Sequence, residues 1–133
     1  MIYLLDVNAL LALGVTNHEF HGRVARWINR AAATDSSFAT CAITELGFLR
    51  ILLQTFYASF TVAQGQRQLQ LLKTSAQFRF EFLVDDQDAQ QLPQWVRWPK
   101  QVTDGHLVAL AKAHGGVLAT LDEGIRGAFM IPH

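Results

Sequence analysis

The chain has one cysteine, Cys41, so no disulfide can close within it. That fits a reducing compartment, and the cytoplasm is the expected location. An excess of either charge is also missing: 11 basic side chains face 11 acidic ones, for a formal net charge of zero. A protein that coats nucleic acid by bulk attraction is disfavoured on that count, although a local basic groove beside an acidic site stays open. Charged residues make up 17% of the chain and form no long run, so disorder is not expected. The longest apolar stretch, Leu46 to Phe60, carries Arg50 and Gln54 and is too short and too polar to span a membrane. Met1 to Asp6 has no basic segment, and Asp6 interrupts its apolar run, so no signal peptide is expected. A phosphate-cradling glycine loop is absent too, which disfavours nucleoside triphosphate hydrolysis. No repeat or linker divides the chain.

What is present is material for a core. Half of the 133 residues are hydrophobic, which suits one compact α/β domain over residues 1–133. Short apolar runs at Ile2 to Leu5, Phe38 to Thr40, Phe80 to Val84 and Val117 to Thr120 have the length of buried strands. Between them, helical spacing is expected over Val7 to Leu13, Glu19 to Arg30, Ile43 to Leu53, Thr61 to Lys73 (with Thr61 as the cap) and Thr103 to His114, stopped by Gly115-Gly116. Strands alternating with helices predict a three-layer α/β/α fold with a mainly parallel central sheet. Ligands of such sheets sit at the carboxyl ends of the strands. Asp6 and Asp122 each follow a strand closely, so they share one edge if their strands are parallel neighbours.

Four acids stand in apolar surroundings: Asp6, Glu45, Asp104 and Asp122. Two like charges ~4 Å apart repel by about 4 kcal/mol at an effective dielectric near 20. If the four converge, they must take up protons or bind a cation, and no basic run stands beside them in sequence. A hard divalent ion, magnesium or manganese, suits oxygen ligands and phosphodiester hydrolysis. Taken singly, each acid also admits a structural role: Asp104 as a helix cap, Asp122 as a turn residue before Gly124, Glu45 as an exposed helix position and, less readily, Asp6 at a strand end.

Four segments, in order and spanning nearly the whole chain, resemble the acidic motifs of PIN-domain nucleases. They are Leu-Leu-Asp6-Val-Asn8, Thr44-Glu45-Leu-Gly-Phe-Leu-Arg, Thr103-Asp104-Gly-His-Leu and Leu-Ala-Thr120-Leu-Asp122. The pattern is most similar to VapC-type toxins of toxin–antitoxin pairs. The resemblance implies a magnesium- or manganese-dependent endoribonuclease acting on structured RNA, a paired antitoxin and a homodimer. It implies Asp6, Glu45, Asp104 and Asp122 as the catalytic carboxylates, with Asp6, Asp104 and Asp122 as metal ligands and Asn8 and Thr120 as supporting polar groups. The chain runs only from Asp122 to His133 afterwards, so a last strand would have to fit into Phe129 to Ile131. A receiver-like signalling domain fits the acid pattern poorly. A PIN-like module that binds RNA or protein without cutting is the other alternative.

Several further residues carry two readings. His18 and His21 lack the companions of a zinc site, Cys41 is most simply a small buried residue, and Asp85, Asp86 and Asp88 suit a helix start. His106 follows Asp104 by two positions and could support the site. Arg23, Arg26 and Arg30 share a helix face that could meet phosphates or merely water. Arg97, Trp98 and Lys100 precede Asp104 in a loop, where Trp98 could stack a base or pack beneath the loop. Finally, Ile43 to Phe60 holds more large apolar side chains than one buried face needs, which predicts an exposed patch for a homodimer or an antitoxin helix.

Overall fold

The computed structural model of the protein describes residues 1–133. Its strands are β1 (Ile2–Leu5), β2 (Ser37–Cys41), β3 (Phe80–Leu83), β4 (Val117–Thr120) and β5 (Phe129–Met130). They form one sheet in the order β3-β2-β1-β4-β5, with every neighbouring pair parallel. The helices are α1 (Val7–Gly14), α2 (His21–Ala33), α3 (Ala42–Ile51), α4 (Val62–Lys73) and α5 (Val102–Ala113). Strand side chains alternate between two faces, and the two cores follow that alternation. Leu5, Phe38 and Ala119 face Leu10, Trp27, Ile28, Phe48 and Leu69 from α1 to α4. Leu4, Ala39, Cys41 and Leu118 face Leu107, Leu110 and Ala111 of α5. Each fully buried leucine contributes about 1.5–3 kcal/mol. The result is the expected three layers.

The strand order has one functional consequence. From β1 the chain adds β2 and β3 on one side, then crosses to place β4 and β5 on the other. The switch therefore falls between β1 and β4, where Leu5 pairs with Ala119. In open α/β sheets a crevice forms outside the carboxyl ends at such a point. Asp6 and Thr120 lie at that crevice.

Local chemistry sets the element ends. Thr61 and Gln64 make a reciprocal capping box at α4: Thr61 Oγ1 accepts from Gln64 N–H at 3.1 Å, and Gln64 Oε1 from Thr61 N–H at 2.8 Å. Helix α5 ends as Gly115 takes a left-handed φ of 76°. Helix α3 departs from the expected Ile43–Leu53 span. Its α-helical part stops at Ile51 and continues as a π-helical turn, Leu52–Phe56, closed by Tyr57 N–H donating to the Leu52 carbonyl at 2.7 Å. The apolar surplus here divides: Phe48 and Leu52 are buried, whereas Leu46 is 67% and Phe56 36% exposed. The short β5 does form. Ile131 N–H donates to the Thr120 carbonyl at 2.8 Å, and the Arg23 guanidinium donates to the carbonyls of Ile131 and Pro132.

Candidate active site

Asp6 sits where β1 ends and α1 begins. Its Oδ1 accepts from Val7 N–H at 2.8 Å as the cap of α1. Its Oδ2 accepts the Thr120 hydroxyl at 2.7 Å, and the residue is only 8% exposed. That hydroxyl also accepts from the Asn8 side-chain amide at 3.3 Å and from Asp122 N–H at 3.1 Å. Asn8 Oδ1 in turn accepts from Leu121 N–H at 3.2 Å. Asn8 and Thr120 thus tie the end of β1 to the end of β4 and hold Asp6 and the Asp122 backbone in a fixed relation.

Asp104 comes from the opposite side of the crevice, in the first turn of α5. It is not the helix cap: α5 begins at Val102, and the cap position is Gln101. No protein group donates a hydrogen bond to the Asp104 carboxylate. Asp122 is exposed beyond β4, and its Oδ1 accepts from Gly124 N–H at 3.1 Å, so its turn role is real. Charge links the three. Burial raises the Asp6 carboxyl above its usual range against the Thr120 and Val7 hydrogen bonds, and the Asp122 charge raises it further. Burial likewise raises Asp104, and the charges of Asp6 and Asp122 add to it.

Glu45 stands apart from this trio. Its Oε2 accepts the Thr40 hydroxyl at 2.5 Å and pairs with Lys73 Nζ at 2.6 Å, both partners being mostly buried. No basic run stands beside the acids in sequence, but the fold brings one basic residue in from a distance: Lys73, at the end of α4, answers Glu45. The 28-residue separation hid it, since nothing local in the sequence joins the two. Lys73 also lies 5.5 Å from the Phe82 ring.

A hard divalent cation fits the donor set, which is all oxygen and mutually repelling. No group of three or more acid, histidine or cysteine side chains is drawn together as a ready cage. A well-formed cleft of about 670 Å³ is elsewhere, on the outer side of α5 at Gly116 and Val117, the opposite end of β4. Concavity alone would therefore miss the carboxylates.

The remaining candidates have structural employment. The nitrogen of His18 accepts from Phe20 N–H, His21 meets the Ala12 carbonyl, and Cys41 is fully buried. Asp88 caps the short 3₁₀ turn Ala89–Gln91. His106 turns away from Asp104 and meets Asp85 at 2.5 Å. Arg23 of the proposed phosphate face is committed to the C-terminal carbonyls.

The PIN-domain family profile matches residues 3–128. The chain belongs to the PIN-domain family. Ribonuclease VapC38 of Mycobacterium tuberculosis is 37% identical over 128 residues, covering 92% of this chain and 86% of that protein. Ribonuclease VapC44 of the same organism is 39% identical over 128 residues, covering 92% and 87%. Among solved structures, M. tuberculosis VapC20, described as a sarcin–ricin loop cleaving toxin, superposes with a TM-score of 0.64 at 15% identity, covering 98% of this chain and 99% of that one. This last likeness concerns the fold: a PIN domain with a five-stranded parallel sheet, β1 and β4 at its centre.

Proposed function

We propose that this PIN domain, residues 1–133, is a divalent-metal-dependent endoribonuclease acting as the toxin of a toxin–antitoxin pair. The observation that carries the reading is the placing of Asp6, Asp104 and Asp122 around the switch point of the sheet, where burial raises Asp6 and Asp104 and neighbouring carboxylate charge adds to it. Such repulsion is relieved by a cation. The ribonuclease names of relatives 37–39% identical support RNA as substrate. Asp6, Asp104 and Asp122 would hold magnesium or manganese, and the bound ion would supply polarisation of a phosphate oxygen and a more acidic water. Thr120 and Asn8 fix the direction of the Asp6 carboxylate. Asp104, with no hydrogen bond from the protein, is free to orient the attacking water. Glu45 lines the same strand edge, and Lys73 tempers its charge. The water oxygen bonds to phosphorus as the bond from phosphorus to the ester oxygen breaks, the proton released by water goes to solvent, the leaving oxygen takes one from solvent, and no covalent enzyme intermediate forms.

An antitoxin and a second copy of the chain are the expected protein partners, with Leu46 and Phe56 available on the α3 side. No helix is long and apolar enough to cross a membrane, and a cytoplasmic location accords with the lone, buried Cys41. Asp6→Ala and Asp104→Ala should each lower RNA cleavage at least about 100-fold, more than loss of an outer partner to a metal ligand usually costs, while Asp88→Ala cleaves normally. Full activity in a purified, folded Asp6 or Asp104 variant would sink the assignment.

A further inference from the structure

We propose that the cleft between the 94–98 loop and the 121–128 loop is a subsite for one unpaired nucleotide of the RNA, next to the cleaved bond. The proposal rests on the reading of RNA as substrate. The cleft is about 570 Å³ and is lined by Trp95, Arg97, Trp98, Gln101, Gly124 and Arg126 among others. That volume lies within the range of small-ligand sites, about 300–1,000 Å³.

Both walls are joined to the carboxylates. On one side Gln101 immediately precedes α5, three residues before Asp104. Its side-chain oxygen accepts from Arg97 N–H at 2.9 Å and from Trp98 N–H at 3.1 Å, so the loop is held in place before any ligand arrives. The same loop presses on α5 at Gly105, where an added Cβ would stand 2.2 Å from a Val96 methyl. Only glycine lets Val96 sit there, one residue from Asp104. On the other side Gly124 N–H donates to Asp122 Oδ1, with Arg126 two residues on. The two walls of the cleft are thus continuous in the chain with Asp104 and Asp122, which places the subsite next to the reading's phosphate position.

The side chains suit a nucleotide. Trp98 is 63% exposed, which is costly for an indole with nothing to cover it. Arg97 and Arg126 are exposed and take part in no ion pair. Three aspartates repel a polyanion, and with a net charge of zero the chain has no bulk attraction to offset them. Two unpaired arginines beside the acids supply that offset locally. Phosphate on Arg97 and Arg126 positions the strand, and a base stacking on Trp98 requires that base to be out of a duplex.

The test is a pair of readouts on full-length protein. Fluorescence anisotropy with a fluorescein-labelled unstructured RNA, in chelator, reads binding without cleavage. Trp98→Ala should weaken it about 10-fold, within the usual stacking range. The Arg97→Ala/Arg126→Ala pair should also flatten the salt dependence by roughly 0.7 logarithmic units per arginine. Abasic substitutions placed one by one around the cleaved bond then read the position: one site should slow the wild type about 10-fold and leave Trp98→Ala unaffected. Wild-type affinity and salt slope in the folded variants would overturn the subsite, as would abasic effects identical in both proteins. So would loss of a protein partner with RNA binding intact. Binding that follows the predicted pattern without any metal-dependent cleavage would instead defeat the hydrolase reading and leave the subsite standing.

Discussion

Asp104 and Asp85 lie at the same end of the sheet yet are shifted in opposite directions. Asp104 is raised by burial and by the charges of Asp6 and Asp122. Its folded form therefore holds a proton more tightly than the unfolded chain, and stability is lost as pH rises from the ordinary carboxylate value through the raised one. Asp104→Asn should accordingly raise the melting temperature of metal-free protein at neutral pH, with the gain fading as pH falls through the carboxylate range. A lower melting temperature, or a gain unchanged by pH, would show that neither burial nor the neighbouring acids disfavour the Asp104 charge. For Asp85, burial pushes upward, but the hydrogen bonds of His106 and the Gln87 backbone, with the charges of His106 and His114, bring it below its usual value. Its contribution is present above the ordinary carboxylate value and disappears as pH falls through the depressed one. Asp85→Asn should thus lower the melting temperature at neutral pH and make little difference in acid; equal destabilisation at both would deny the His106 pairing.

At the scale of elements, local signals explain what was legible. Thr61 announced the start of α4, and Gly115-Gly116 announced the end of α5, because caps and stops are contacts between near neighbours in sequence. The end of α3 was not legible, since a π-helical turn is chosen by where Leu52 and Phe56 pack. Asp6, Asp104 and Asp122 could be gathered from strand ends and motif order, whereas the Lys73–Glu45 pair could not, because it joins α3 to α4 across space. Lys73→Met would leave Glu45 mostly buried with only the Thr40 hydroxyl. It should cost about 1–2 kcal/mol by chemical denaturation, and an unchanged midpoint would mean that solvent already satisfies Glu45. The C-terminal edge has a similar dependence. Arg23→Ala should speed amide exchange at Ile131, whose N–H closes β5 onto Thr120, far more than at Leu118 in the sheet centre. Equal protection in variant and wild type would show that β5 holds without the arginine.

Over the whole molecule, the parallel sheet brings distant acids to one edge and leaves their repulsion unresolved. Asp6 and Asp122 follow the adjacent strands β1 and β4, Asp104 lies in the first turn of the helix that precedes β4, and Asn8 and Thr120 lock the joint between the two strands. The motif order made this arrangement expected, because each acid follows or opens an element whose place in a parallel sheet is constrained. The cleft with Arg97, Trp98 and Arg126 was only half visible, since Arg126 reaches it from another loop. On the proposed function, the repulsion that accompanies burial of these acids would be relieved by a bound cation. The most direct test is cleavage of a labelled RNA by purified protein in chelator, then with excess manganese, beside Asp104→Asn in the same series. Cleavage should be absent in chelator, restored by manganese in the wild type and not in the variant. Cleavage that persists in chelator, or an Asp104→Asn protein that cuts as fast as the wild type, would contradict it.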